Sequence, residues 1–276
     1  MVPIGIVTRN RVQYLDVTLR SLSATDLPTD VPVTVFDDVS DNPFVKRYLT
    51  SNARLNMQRN WPGHATWRKA GLAVIQQADG PPKGVNGRVH WQSLGNTPRG
   101  VVEGSCEAVR RMFKAHPDAP AVILLQDDVI FNANWYERLC VTAQTHEFPQ
   151  PLGVLSGCKL NQVYSALKGQ KSLPPVLASG ITAQCLYITR AAHNKLDMFK
   201  LPQRQRKQFD DMLKRRVSNN GMWAGVILPF VCQHFGVQSQ VRPTRTWSSR
   251  KNGRIGFYAY PPYVVAKEVA DLRGKK

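Results

Sequence analysis

The chain has 276 residues, enough for one large or two small domains, and its 42% hydrophobic content excludes a disordered tail. Lysine and arginine number 37 against 19 acidic residues, a net charge of +18. A small neutral substrate gives no reason for such a field; a polyanion does, whether nucleic acid or an anionic membrane surface, and a merely solvated basic surface is the plain alternative. Cys106, Cys140, Cys158, Cys185 and Cys232 form no CxxC pair and no Cys/His cluster, so neither a zinc site nor a disulfide framework is expected and a reducing compartment is the simpler reading. The sequence shows no leader with a charged start and long apolar stretch and no run of about 18 apolar residues. A cytoplasmic protein is expected.

In chain order, residues 4–8 have the apolar character of a buried strand, and residues 14–22 form a short helix with Leu15, Leu19 and Leu22 on one face. Residues 31–36 predict the next strand, ended by Asp37-Asp38, and 44–49 a helix. Residues 60–100, rich in glycine, proline and tryptophan, predict loops and short strands. A helix over 103–114 is stopped by Pro117, a third buried strand covers 121–125, and a further helix covers 135–145. The second half is less regular, with strands near 154–156 and 184–189 and a helix from about 206 to 217. The stretch from Arg242 onward is basic, aromatic and proline-rich, and reads as loop. Strands alternating with helices imply an α/β fold, a doubly wound, mostly parallel central sheet flanked by helices, with function at the carboxyl ends of its strands.

Three polar clusters fall at those ends: Thr8-Arg9-Asn10-Arg11, Asp37-Asp38-Val39-Ser40-Asp41, and the Asp127-Asp128 pair that closes Leu124-Leu125-Gln126. An apolar strand ending in adjacent carboxylates suits a hard divalent cation held against phosphate oxygens. It equally suits a capped turn or helix start, and the residues alone leave both open. If one carboxylate pair holds a metal, the other is placed to accept hydrogen bonds from a base or ribose.

The segment Ile4-Gly5-Ile6-Val7-Thr8-Arg9-Asn10-Arg11, with Thr18-Leu19-Arg20-Ser21-Leu22, resembles the opening strand and helix of GT-A glycosyltransferases. Val33-Thr34-Val35-Phe36-Asp37-Asp38-Val39-Ser40-Asp41 is similar to the V-V-D-D-G-S-x-D segment of the inverting family-2 enzymes. That resemblance implies that Asp37 contacts the nucleotide base. Residues 105–131 resemble the approach to the family's D-x-D motif and the E-D-D form of the Golgi N-acetylglucosaminyltransferases. Asp128 then ligates Mn2+ or Mg2+, Asp127 assists at the ribose or a metal-bound water, and Gln126 stands where the motif has its first acid. Ser179-Gly180-Ile181-Thr182-Ala183 is similar to the acceptor loop, which implies Gly180 and Thr182 at the acceptor. Phe209-Asp210-Asp211-Met212-Leu213 resembles the x-E-D motif, implying Asp211 as general base with Asp210 beside it. Val231-Cys232-Gln233-His234-Phe235-Gly236 resembles the segment of a late metal-binding histidine, here His234.

The likeness spans roughly residues 3–240 and implies a transferase domain over 1–241, with a nucleotide-sugar half at 1–131, an acceptor half at 132–241 and a basic extension at 242–276. Thr8, Arg9, Asn10, Asp38 and Arg99 complete the expected donor site, Arg99 by facing the diphosphate. Each role has a plainer reading: His234 as a structural hydrogen-bonder, Arg99 as a solvent-facing side chain. Asp210 and Asp211 would then be carboxylates favoured at a helix start or paired with Lys214 and Arg215.

The acceptor is read from charge. Lys200, Arg204, Arg206 and Lys207 precede the expected base, and Lys214, Arg215 and Arg216 follow it. Arg242, Arg245, Arg250, Lys251 and Arg254 interleave with Trp247, Phe257 and Tyr258, a mixture suited to phosphate contact and base stacking. The expectation is a UDP-sugar donor and double-stranded DNA carrying a hydroxymethylated base, as in the bacteriophage enzymes this chain resembles. The target base must leave the stack, with Trp247 able to fill its place. The alternatives are a lipid-linked or lipopolysaccharide acceptor at the cytoplasmic membrane face, or a non-catalytic nucleic-acid-binding module on a degenerate transferase scaffold.

Overall fold

Two parallel partners flank the first strand, which makes it the organising element of the sheet. The computed structural model describes residues 1–23, 25–40, 89–158, 174–178, 181–196, 209–228 and 230–234. The first half comprises β1 (Ile4–Thr8), α1 (Val12–Ser23), β2 (Val33–Asp37), β3 (Val89–Ser93), α2 (Gly100–Ala115), β4 (Ala121–Gln126), β5 (Val129–Phe131) and α3 (Trp135–Thr145). The second comprises β6 (Leu152–Ser156), β7 (Val176–Leu177), β8 (Cys185–Thr189), α4 (Arg190–Leu196), α5 (Phe209–Asn219), β9 (Trp223–Ile227) and β10 (Cys232–His234). The expected helix over 44–49, together with Gly180, Arg204, Arg206, Lys207, Arg242, Arg245, Trp247 and Arg250, lies outside the described residues.

Eight strands form one sheet in the order β3-β2-β1-β4-β8-β6-β9-β7, and β10 pairs with β5 as a separate ribbon. β1 runs parallel to β2, with Thr8 opposite Asp37, and parallel to β4, with Val7 opposite Gln126. β3 extends this parallel set beyond β2. The doubly wound expectation describes these four strands. Beyond β4 the sheet changes character: β8 is antiparallel to both β4 and β6, β9 is parallel to β6, and β7 closes the edge antiparallel to β9.

Alternate strand residues point to opposite faces, and both faces of this sheet are covered. Ile4 and Ile6 of β1, with Ile123 and Leu125 of β4, pack on Leu15, Leu19 and Leu22 of α1. The other face of β4, Val122 and Leu124, meets Val109, Met112 and Phe113 of α2, and this core continues to Phe209, Met212 and Leu213 of α5. The expected apolar stripe of α1 is therefore its core contact. Gly5 lets α2 approach β1, since a Cβ there would sit 2.6 Å from Met112 Sδ and 2.9 Å from Phe36 Cε2. The five cysteines are free and buried. Among the described residues no helix is long and apolar enough to cross a membrane.

Candidate active site

The carboxyl ends of β1, β2, β3 and β4 lie along one edge of the sheet, and the site is assembled there. After Gln126 the chain turns through Asp127 and Asp128 into β5. That turn is held from below by two buried hydroxyls on α1. Thr18 Oγ1 donates to the Asp127 carbonyl (2.8 Å) and accepts from the Val129 amide (3.0 Å). Ser21 Oγ accepts from the Phe131 amide at 2.9 Å. Burying a hydroxyl among leucines costs free energy unless it is bonded, and here all three bonds go to the main chain that presents the carboxylates.

The side chains of the pair are nearly sequestered, Asp127 at 2% and Asp128 at 3% exposure. Thr8 Oγ1 donates to Asp127 Oδ2 at 2.6 Å. Arg11 forks across the pair, one guanidinium nitrogen 2.8 Å from Asp127 Oδ1 and the other bonded to Asp128 Oδ2, while its Cζ lies 4.2 Å from the Tyr14 ring centroid. The antiparallel ribbon sets His234 opposite Val129, which brings His234 Nε2 to 2.9 Å from Asp128 Oδ2. Asp128 Oδ1 is buried and has no hydrogen-bond partner.

Two adjacent buried carboxylates titrate differently here because their partners differ. Burial pushes Asp127 up to about 6; Arg11 opposes this and the charge of Asp128 adds to it. Burial also works to raise Asp128, but Arg11 and His234 outweigh it and hold the carboxyl well below the usual range. Arg11 is held above its ordinary value, the two carboxylates overcoming the effect of burial. His234 is likewise raised against burial by Asp128.

The second cluster is linked to the first through Ser40. Asp37 Oδ1 accepts from the Ser40 amide (3.1 Å) and hydroxyl, and Ser40 Oγ accepts from the Asn10 amide at 2.8 Å. Asn10 and Val39 both adopt positive φ, 53° and 52°; for a β-branched residue such as Val39 this is strained backbone. Asp38, expected at the donor, has both carboxylate oxygens engaged by the start of α2. Oδ1 accepts from the Arg99 amide (2.7 Å) and Oδ2 from the Gly100 amide (2.8 Å). This long-range cap explains why α2 begins at Gly100, earlier than its local sequence predicts. Arg99 is exposed, with Nε donating to the Leu94 carbonyl at 3.0 Å.

Asp210 and Asp211 open α5. β9 follows that helix through a tight turn at Gly221 (φ 66°) and runs in the same direction as β6 and hence β4. The start of α5 therefore lies at the same sheet edge as the Asp127-Asp128 turn. Asp211 is exposed there, and Asp210 is half-buried with its carboxyl pushed up by burial. Lys214 and Arg215 lie one turn further along, half-buried and exposed respectively. Thr182, expected at the acceptor, is buried and donates to the Cys158 carbonyl at 2.7 Å, tying the end of β6 to the turn that enters β8.

The structure thus gathers Thr8, Asp127, Asp128 and His234 into one cluster, links Asp37 to it through Ser40 and Asn10, and uses Asp38 and Thr182 to hold the frame. Arg11, Thr18 and Ser40 were not singled out as site residues from sequence. Arg11 had a signal: two buried carboxylates require a countercharge, and the polar cluster on the neighbouring strand end carries it. For a divalent cation the chain offers Asp128 Oδ1, unpartnered, and the adjacent His234. Among the described residues no group of three or more His, Cys, Asp or Glu side chains is arranged to hold a metal ion. These residues fit a cation whose remaining ligands come from elsewhere, as phosphate oxygens do for Mg2+.

No protein-family model and no curated protein sequence matches this chain. Solved structures do. The mannosyltransferase PcManGT from Pyrobaculum calidifontis, solved with GDP-Man and Mn2+, superposes with a TM-score of 0.50 at 14% identity, over 84% of this chain and 55% of that one. S. aureus TarS 1–349 superposes with 0.50 at 14% identity, over 84% and 59%, and its complex with UDP-GlcNAc with 0.50 at 15%, over 85% and 60%. The chain spans less than two thirds of the length of these proteins. At this identity the likeness is one of fold, and the fold is that of the GT-A glycosyltransferases.

Proposed function

We propose that the chain is a glycosyltransferase that moves a sugar from a nucleoside diphosphate, UDP by the family resemblance, to an acceptor hydroxyl with inversion. The observation that carries this is the buried Asp127-Asp128 turn, with His234 2.9 Å from Asp128, at the carboxyl edge of a GT-A sheet. The complexes of PcManGT with GDP-Man and Mn2+ and of TarS with UDP-GlcNAc are in keeping with a donor of this class. Residues 1–131 would form the donor half, 132–241 the acceptor half, and 242–276 a basic extension for the polyanion.

In this reading Asp37 receives the base and the Thr8–Asn10 segment lines the ribose and phosphates. Asp128 and His234 are the residues that would hold Mn2+ or Mg2+, which when bound neutralises charge on the departing diphosphate. Asp211, exposed at the start of α5, takes the proton from the acceptor hydroxyl as it attacks the anomeric carbon. A base so placed is worth roughly 10²–10⁴ in rate. One displacement inverts the anomeric centre.

For the acceptor we favour DNA bearing a hydroxymethylated base, acting in the cytoplasm. The net charge of +18, and Lys214 and Arg215 one turn beyond Asp211 on α5, support a polyanion. The test incubates the protein, Mn2+ and radiolabelled UDP-sugars with hydroxymethylcytosine DNA, unmodified DNA or membrane lipid. Label in the modified DNA alone is the expected result. Label in lipid alone would overturn the DNA acceptor, and DNA binding without transfer to any acceptor would overturn the enzyme in favour of a binding module.

A further inference from the structure

We propose that Arg11 is a resident counter-ion that a divalent cation must displace, so the site binds metal weakly until a nucleoside diphosphate engages Arg11. The inference rests on the donor-binding reading for the phosphate ligands only. Its basis is how the four oxygens of the acid pair are used. Asp127 Oδ2 accepts from Thr8 at 2.6 Å and Asp127 Oδ1 from Arg11 at 2.8 Å. Asp128 Oδ2 takes the other arm of Arg11 and lies 2.9 Å from His234 Nε2. Asp128 Oδ1 alone is unpartnered, and it is buried.

The place a metal would take between two carboxylates is thus partly filled by a fixed cation. Arg11 is held there by both acids and by the Tyr14 ring at 4.2 Å, and its planar fork matches the two carboxylates in the way a hydrated ion does not. A free divalent ion entering this site would meet that positive charge and find one open carboxylate oxygen, with His234 Nε2 available only by breaking its bond to Asp128. Such ions demand about six ligands. Gln126 adds no charge where the resembled motif has an acid, and its side chain is 3.4 Å from Gln184 Nε2. A diphosphate reverses both handicaps: it supplies oxygens to the ion, and its own charge gives Arg11 a new bidentate partner, freeing Asp128.

The experiment measures Mn2+ binding to the full chain through loss of the free-ion EPR signal, with and without UDP. It uses wild type, Arg11→Lys, Arg11→Gln, and Arg11→Gln combined with Asp128→Asn. Without UDP, wild type and Arg11→Lys should bind weakly. Arg11→Gln should bind about 10- to 100-fold more tightly, the range over which groups beside a metal's ligands tune affinity, and the added Asp128→Asn should remove that gain. UDP should tighten the wild type far more than Arg11→Gln. Wild type that already binds stoichiometric Mn2+ tightly without UDP would overturn the proposal, an arm that stands even if Arg11→Gln does not fold. A folded Arg11→Gln, checked by circular dichroism, with no gain would do the same, as would a gain that survives Asp128→Asn. Tightening in Arg11→Gln with no response to UDP in any protein leaves Arg11 as the counter-ion and overturns the donor reading instead.

Discussion

At the scale of single residues, the site is a set of carboxylates whose neighbours decide what each one does. Asp127 and Asp128 are adjacent in sequence and equally buried, yet only Asp128 has an oxygen to spare. Asp211, exposed at the start of α5, is free to meet an acceptor. Its replacement by asparagine should lower kcat by roughly 10²–10⁴ while calorimetric affinity for UDP stays at the wild-type value; near-normal turnover would remove it from the role of base. Thr18 acts on the geometry instead of the chemistry. Thr18→Val keeps the shape but leaves the Asp127 carbonyl and the Val129 amide unpaired in a buried site. That should cost about 1–3 kcal/mol, read as a lower urea midpoint with unchanged slope. The carboxylates themselves were legible in the sequence because acids abutting an apolar run are conspicuous. Thr18 and Ser21 were not, because they sit inside an apolar helical stripe where a hydroxyl looks like a tolerated interruption.

At the scale of elements, legibility followed periodicity. The apolar runs of β1, β2, β4 and β8 and the stripes of α1, α2 and α3 announced themselves, and α3 was predicted with the bounds it has. β5 and β10 were not predicted: at three residues each they carry no period, yet their pairing is what delivers His234 to Asp128. Strand direction was equally silent, since Cys-Leu-Tyr-Ile-Thr of β8 reads the same whether it runs with β4 or against it. The packing of α2 shows what pattern alone omits. Glu107 accepts from both Arg110 and Arg111, and Arg111 reaches on to the carbonyls of Ser93 and Leu94 at the end of β3. The hydrogen bond from Arg110 does most to draw the Glu107 carboxyl down to about 2, with Arg111 assisting against burial. A carboxylate lowered in the folded state stabilises above its unfolded value near 4.5 and loses that contribution as pH falls through 2. Glu107→Gln should therefore be about 1–2 kcal/mol less stable at pH 7, allowing for the exposure of Arg110, and equal to wild type near pH 2. A difference that persists unchanged at low pH would assign the effect to packing.

At the scale of the whole molecule, the first question is what the charge of +18 is for. If it serves contacts with nucleic acid phosphates, affinity for DNA should fall linearly on a log–log plot against salt, with a slope near −0.9 for each phosphate neutralised. Fluorescence anisotropy across a salt series measures it directly, and a flat response would detach the charge from DNA. Composition made the charge visible and left its use open, because most of the basic residues that suggested DNA fall outside the described part of the chain. The second question is how separable the two halves are. β8, from beyond residue 131, lies directly against β4 in one continuous sheet. A fragment ending after β5 would expose the side of Ala-Val-Ile-Leu-Leu-Gln that β8 covers, a long apolar edge with unpaired amides and carbonyls that templates strand addition. Expressed alone, the 1–131 fragment should form oligomers on size exclusion, whereas a co-expressed second half that caps β4 should return it to a soluble 1:1 complex. The reversed strand is thus a seam: it would make residues 1–131 dependent on the rest of the chain for their solubility before any question of catalysis arises.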